Sequence, residues 1–443
     1  ARWQKKIIFM KLSDDAKSKI RPLQIVFMKD HFGEKFDELK KLSGGCSLFV
    51  IGDIQESPAS EQPIEMVAKD FVIMGIVSDP SAYPLAKAIT DLGYLRSIPE
   101  LECHTPIKSI IYKIRHSIRL FTDRFFTTTG FTLVDMPTIT FSECEGGCQP
   151  FQTTLLLTSG KKSDIPTTDS EHGKTDDIDF STDFFKVKAS LTVSSQLELE
   201  TQLPLGSVYT MTRAFRGEPS QTSKHLCEFS MLEIELISSG AEDIIDITEK
   251  YIRESIGHVL EKHMIEFEFL EKQFEKPIIS SLHKYRDTPF IRTTHADVVT
   301  MIKTEASKGT EKFVHVPEYD EDLSSEHEKF IVEHYGLPVV VRKYPKKIKA
   351  FYMPVVKETE SESRGVEHVD SFDILVPEVG ELVGGSQRIH EFDLLMERII
   401  ELGLDLKPLE FYIKLRQMGT VPHGGMGMGL ERLIKFITVA PSV

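Results

Sequence analysis

Ser207 to Leu236 reads SVYTMTRAFRGEPSQTSKHLCEFSMLEIEL. Two short β-rich runs flank a Gly/Pro/Ser/Gln/Thr/Ser/Lys segment that no core can absorb, so the stretch is expected to be two strands joined by a polar loop. In the returning strand Ser230, Leu232, Ile234 and Leu236 share one face, and Phe229, Met231, Glu233 and Glu235 share the other. Arg216 and Glu218, two residues apart, end the outgoing strand on one face, and the loop carries Lys224 and His225. Forked donors, a flat ring and carboxylates around one hairpin suit a nucleotide. A solvated hairpin laced with surface ion pairs fits the same letters, and both readings stand at this point.

The 443 residues, 40% hydrophobic and 27% charged, suit two or three domains with ample core. No apolar run reaches membrane-spanning length and no signal peptide opens the chain, so no membrane partner is expected. Five cysteines, Cys46, Cys103, Cys144, Cys148 and Cys227, are few and odd in number, which points to a reducing, cytoplasmic setting. The net charge of -15 excludes little, because an acidic body can carry a local basic track.

Upstream, KIIFMKLSD from Lys6, PLQIVF ending at Phe27, Ser47 to Gln55 and Phe71 to Val77 read as closely spaced strands of a small β-barrel. A five-stranded oligonucleotide-binding barrel with its first strand lost fits, as does any small β-module. Phe9 is a candidate stacking platform or a core aromatic. After a linker with Pro80, Pro84 and Pro99, Thr105 can cap a helix with Pro106 in its first turn. Ile107, Ile110, Ile111, Ile114, Ile118, Phe121 and Phe125 recur there at helical spacing. Phe131 to Asp135 reads as a strand, Thr158 to Asp183 as a polar surface loop, and Glu242 to Phe274 as helix.

Towards the C-terminus, His327-Glu328 lacks the second histidine of a zinc protease, because position 331 is Ile331. Cys144 and Cys148 lack a second pair at zinc spacing. VDSFDILVPEVGELVGGSQR, Val369 to Arg388, suggests a hairpin bringing Asp373 and Glu381 together, which suits Mg²⁺ or a structural role. In PHGGMGMGLERLIKFI, Pro422 to Ile437, four glycines lead into a helix with Arg432 in its first turn and a stripe of Leu430, Leu433, Ile434 and Ile437.

FRGE followed by HLCEF, GGSQR and GMGLER, in this order, resemble the second and third signature motifs of class II aminoacyl-tRNA synthetases, and the helix from Thr105 with the strand to Pro137 resembles the first. SECEGGCQPFQTT, TVSSQLELE, PEVGELVGGSQRIH and MGTVPHGGMGMGLER look like the asparaginyl members of the subgroup that also holds the aspartyl and lysyl enzymes. The resemblance covers nearly the whole chain. It implies an α+β fold: a class II antiparallel sheet flanked by helices, preceded by an OB-type barrel, in a homodimer. The implied domains are an anticodon-binding barrel at 1–80, a hinge at 81–104 and a catalytic domain at 105–443 with an insertion at about 280–355.

The chemistry implied is activation of asparagine by ATP, with Mg²⁺, and transfer to tRNA(Asn). Arg216 would clamp the α-phosphate, and His225 and Arg432 would hold the distal phosphates. Phe229 and Arg432 would sandwich the adenine, Glu218 would read its amino group, and Leu226 and Glu381 would join the ATP site. Asp373 and Glu381 would ligate Mg²⁺. Glu145 and Gln196 would bind the α-amino end of asparagine, Arg388 its side-chain carbonyl, and Glu233 its amide NH₂; Phe9 and Gln24 match anticodon contacts. Aspartyl enzymes carry a lysine three residues after the glutamine of the SSQLELE strand, and here that position is Leu199. The alternatives are an aspartyl-tRNA synthetase, discriminating or not, against which Leu199 speaks; an ammonia ligase of the same fold, which would lack the barrel; and a non-catalytic RNA-binding paralogue. Met231 departs from several relatives, which have histidine there.

Overall fold

The computed structural model describes residues 2–442 except 4–5, 16–18, 59–61, 86–90, 142–148, 171–172, 219–221, 223–224 and 310–312. They form two compact units, Ala1–Ile118 with Val259–Ile279, and Arg119–His258 with Ser280–Val443.

The first unit holds a five-stranded sheet of β1 (Arg2–Trp3), β2 (Ile7–Leu12), β3 (Leu23–Met28), β4 (Ser47–Glu56) and β5 (Ile64–Gly75) in the order β1-β2-β3-β5-β4. The β3/β5 pair is parallel, which close strand spacing does not reveal, and β5 starts seven residues earlier than the sequence suggests. Ile8, Ile25, Phe27, Ala68 and Phe71 form its core with Phe36 and Leu39. Phe9 pairs with Val26 and Gln24 with Lys11, so Phe9 and Gln24 share the face opposite Ile8 and Phe27. The Gln24 amide donates to the buried Glu65 carboxylate at 2.9 Å, and Gln55 donates to the same group at 3.0 Å.

Helix α1 (Pro106–Thr128) buries Ile107, Ile110, Ile114, Ile118, Phe121 and Phe125, as their spacing requires. The Thr105 hydroxyl donates back to the Glu102 carbonyl. The helix expected over Glu242 to Phe274 is two, Ala241–Lys262 and Met264–Phe274, because His263 (φ -129°, ψ 31°) leaves the helical range.

The second unit is organised by an eight-stranded sheet: β6 (Thr132–Leu133), β7 (Val208–Phe215), β8 (Glu228–Ile237), β9 (Ile291–Thr294), β10 (Val339–Arg342), β11 (Ser371–Val376), β12 (Gly380–Gln387) and β13 (His423–Gly429). Their order is β9-β10-β11-β12-β13-β8-β7-β6, antiparallel except for the parallel edge pairs β9/β10 and β6/β7. Helices fill both ends of its core: Val298, Ile302, Phe330 and Ile331 pack on β10, and Leu395, Ile399 and Tyr412 pack with Val193, Leu197 and Tyr352.

Three expectations change here. The glycine run before the last helix is a central strand, β13, paired to β8 on one side and β12 on the other. A side chain at Gly425 would overlap the Ile234 carbonyl, and one at Gly385 would enter the Phe372 ring, so glycine is what lets these strands sit beside filled neighbours. SSQLELE is helix α2 (Gln196–Leu199) running into a 3₁₀ turn, Glu200–Leu205, and not a strand. Within 158–183, Thr167–Ser170 and Gly173–Ile178 pair as a hairpin, and the buried Asp183 accepts from Leu155 N and Phe184 N. Paired strands therefore stand within that surface segment.

Candidate active site

The hairpin of β7 and β8 sets the site. Ala214 pairs with Phe229 and Phe215 with Glu228, so the chain leaves β7 at Arg216 beside the start of β8. The Arg216 guanidinium stands 5.4 Å from the Phe229 ring centroid. A cavity of about 360 Å³ opens there, lined by Arg216, Glu218, His225, Leu226, Phe229, Glu381, Glu431 and Arg432, with Gly427 and Gly429 on its floor. A Cβ at Gly429 would lie 3.8 Å from the Arg432 stem and 3.9 Å from the Phe229 ring, so that bare glycine leaves a slot between the two. Arg432 comes from the first turn of helix α3 (Leu430–Thr438) and donates to the Glu381 carbonyl at 3.0 Å and its carboxylate at 3.3 Å. Glu431 accepts from Ser230 N at 3.0 Å, tying α3 to β8. His225 approaches Thr222 Oγ1 at 2.7 Å. Lys224 lies outside the described residues.

A second cavity of about 270 Å³ adjoins the first and shares Arg216, Met231, Glu381 and Gly427 with it. Gln196, Glu233, Asp373 and Arg388 line it, together with Ser194, Lys349, Tyr352, Met353, Gly384 and Gly385. Glu145 lies outside the described residues. Leu199 is fully buried and faces neither cavity.

Glu233 and Glu235 are fully buried in a central strand, a costly position unless their charges are met. Glu233 accepts from the Ser194 hydroxyl and from Ser195 N at 3.1 Å, and its side chain lines the cavity. Glu235 accepts from Arg388 Nη2 at 2.8 Å, Arg388 Nε at 3.1 Å and the Gln196 amide at 2.6 Å. Burial nonetheless holds its carboxyl above the ordinary range, partly countered by Arg388. Arg388 stacks 4.9 Å from the Tyr352 ring centroid. Burial works against its charge, and Glu235, Tyr352, Glu200 and Tyr412 together outweigh that and hold it firmly protonated.

Asp373 and Glu381 converge over the backbone of β12. A Cβ at Gly384 would sit 3.5 Å from Asp373 Oδ1 and 3.6 Å from Glu381 Oε1. Burial first, and the Glu381 charge as well, push the Asp373 carboxyl up to about 6, although Lys349 donates to it at 2.9 Å. Two crowded carboxylates, one of which burial already holds back from ionising, form a donor set that a hard divalent cation relieves. A second trio, Glu200, Glu235 and His423, also brings its ligand atoms within 4.8 Å of one another. Arg388 and Arg416 already supply the cations there, so it does not fit a metal.

Sequence reasoning missed Lys349, Tyr352 and the Glu200 cluster. Lys349 stands in the run KKIKAFYM, where nothing distinguishes it from a solvated lysine, and only the fold brings it over the Tyr344 ring at 3.9 Å and against Asp373.

A family profile described as tRNA synthetases class II (D, K and N) matches residues 100–443. The chain belongs to that family. It is 36% identical over 419 residues, 94% of its length and 85% of the relative's, to the asparagine–tRNA ligase of Vibrio vulnificus. It is 37% identical over 439 residues, 99% and 89%, to that of Parabacteroides distasonis. Among solved structures it resembles the asparaginyl-tRNA synthetase of Pyrococcus horikoshii complexed with asparaginyl-adenylate, with a TM-score of 0.80 and 28% identity over 100% of this chain and 90% of that one. The Entamoeba histolytica asparaginyl-tRNA synthetase is similar at a TM-score of 0.78 and 25% identity, with 100% and 90% coverage.

Proposed function

We propose that the chain activates asparagine with ATP and transfers it to tRNA(Asn). The observation that carries this reading is the pair of adjoining cavities that share Arg216. One takes ATP, with adenine in the slot between Phe229 and Arg432, Glu218 at its amino group, Leu226 beside it, and His225 and Arg432 towards the distal phosphates. The other takes asparagine, its ammonium towards Gln196, its side-chain carbonyl towards Arg388 and its amide NH₂ towards Glu233. The α-phosphate then falls at the seam, beside Arg216.

The asparagine carboxylate attacks the α-phosphorus in line, a new P–O bond forms, and the bond to the β-phosphate oxygen breaks to release pyrophosphate. A ribose hydroxyl of the terminal tRNA adenosine next attacks the adenylate carbonyl and AMP leaves. No side chain acts as nucleophile; holding the two substrates in line and meeting the charge on the α-phosphate oxygens with the Arg216 fork accelerates the reaction. Asp373 and Glu381 would hold Mg²⁺, which neutralises phosphate charge when bound.

Selection against aspartate follows from charge. Arg388 is matched by Glu235 and Lys349 by Asp373, Leu199 brings no cation, and Glu233 faces the cavity. A second substrate carboxylate therefore finds Arg388 and Lys349 already matched, and the third cation lining this cavity, Arg216, stands at the seam with the ATP cavity; a mismatch of buried polar groups can be worth roughly 10⁴–10⁵ in discrimination.

Residues 1–80 serve as an OB-type anticodon-binding domain in which Phe9 stacks on a base and Gln24 reads one, with 81–104 as hinge and 105–443 as the catalytic domain bearing the 280–355 insertion. The enzyme works as a cytoplasmic homodimer; no described helix is long and apolar enough to cross a membrane. The test is amino-acid-dependent ATP–pyrophosphate exchange without tRNA. Exchange with asparagine and not aspartate is expected; exchange with aspartate alone would turn the assignment to an aspartyl enzyme, and exchange with neither to a non-catalytic RNA-binding protein.

A further inference from the structure

Behind the amino-acid cavity, out of reach of any substrate, lies a closed lattice of charge centred on Glu200 at the start of the 3₁₀ turn after α2. The Glu200 carboxylate is 2% exposed and accepts from Tyr412 Oη at 2.8 Å, Arg416 Nη2 at 2.7 Å and His423 Nε2 at 2.8 Å. Its Oε1 also stands 3.7 Å from Arg388 Nε. The other ring nitrogen of His423 faces the Val421 carbonyl at 2.6 Å. Both imidazole nitrogens therefore point at acceptors, and the ring carries both protons. The Arg416 Nε donates to the Ile389 carbonyl at 3.0 Å, one residue beyond Arg388.

The lattice thus holds Arg388 from two directions: Glu235 in front, and Glu200 behind with Arg416 and His423. Buried ion networks of this kind are weak sources of stability, because well-packed apolar residues often do as well. What they supply is a fixed place for each charge. Without Glu200, Arg388, Arg416 and His423 would face Glu235 alone, and the positive excess would sit directly behind the subsite for a neutral side chain.

We propose that Glu200 is a specificity-determining positioning residue: it pins Arg388 and balances the cations behind the amino-acid cavity, so that the subsite favours an uncharged amide over a carboxylate. This rests on the assignment of Arg388 to the asparagine side chain. Glu200 touches no substrate and acts through Arg388.

The experiment is pyrophosphate exchange on the full chain, with asparagine, aspartate and ATP each varied, for wild type, Arg388→Lys, Glu200→Gln and Tyr412→Phe. Glu200→Gln is expected to raise the KM for asparagine roughly thirtyfold or more, to narrow the asparagine-to-aspartate ratio of kcat/KM at least as much, and to leave the KM for ATP unchanged. Tyr412→Phe keeps the ring under Arg416 and removes one hydrogen bond to Glu200 and one from Arg416 while leaving every charge in place, so it folds more surely. It should shift the same two quantities in the same sense by roughly two- to tenfold. Loss of kcat for every substrate at constant KM and constant ratio in both variants would make the lattice merely structural and overturn the proposal. An unchanged asparagine KM in Arg388→Lys would instead remove Arg388 from the subsite, which is a failure of the underlying assignment and not of the lattice.

Discussion

The two cavities meet at Arg216 yet handle charge in opposite ways. In the first, Arg216, His225 and Arg432 are half-buried or exposed at the rim of a slot with a flat ring on one wall, a setting that gains most from an incoming polyanion. In the second, Arg388 and Lys349 are each locked to a buried carboxylate. The first region is therefore built to bind a polyanion and the second to refuse a carboxylate on the substrate side chain. A nucleotide needs strong, forgiving attraction; an amide must be told from a carboxylate of nearly the same shape, which attraction alone cannot do.

The comparison breaks most visibly at the seam. Arg216→Ala should lose about 2.7–4 kcal/mol of transition-state stabilisation, roughly 10²–10³-fold in asparagine-dependent exchange. Thermal unfolding should barely move, because no buried carboxylate depends on this side chain among the contacts described for it. Unchanged exchange would take Arg216 out of the chemistry.

Next in size is the slot. Phe229→Ala removes one wall, and loss of a base-stacking ring is worth about 1–3 kcal/mol. The KM for ATP should rise accordingly while the KM for asparagine stays put. A rise in both would mean that the two cavities do not act separately.

The smallest effect lies behind the second cavity. Burial opposes charge on both Glu200 and His423; Arg416 and His423 overcome it for Glu200 and hold it at about 2, while Glu200 holds His423 above its ordinary value. A group whose pKa is raised on folding contributes in full below its unfolded value, near 6.5, and loses that contribution as pH climbs through the raised one. For Glu200 the contribution is complete above about 4.5 and is lost as pH falls towards 2. Urea midpoints should thus fall between pH 7 and pH 9.5 in wild type and fall less in His423→Asn. Parallel pH profiles would show that His423 is neutral in the folded chain.

Legibility divided along the same line. The first cavity is made largely by residues close in sequence, Arg216 to Phe229, and by a glycine-to-helix junction, so local pattern marked Arg216, Glu218, His225, Phe229 and Arg432, whereas Leu226 and Glu381 entered through the resemblance and Glu431 only through the fold. The hairpin placing Asp373 beside Glu381 was equally local. The second cavity depends on pairs such as Glu200 with Arg416, 216 residues apart, and Glu235 with Arg388, 153 apart. No spacing rule links such residues, and each alone looks like a surface charge. Periodicity likewise misjudged β13, because glycines carry no side chain to alternate, and it missed the parallel β3/β5 pair, whose register lies in the fold rather than in either strand.

The bare floor of β13 bears on how the site can change over time. At Gly425, which is buried and lines neither cavity, any side chain collides with the Ile234 carbonyl and the Glu235 carboxylate, so that position of the strand is closed to mutation. At Gly427, beneath both cavities, an added methyl would rest in ordinary contact with Gln196, Met231 and Glu233, at 3.7, 3.8 and 3.9 Å. It would fit, but it would narrow both cavities together. An inhibitor lying flat on this floor would thus press on a position where any added side chain narrows both cavities together, and escape at lower cost would have to come from the walls, at Met231 or Met353.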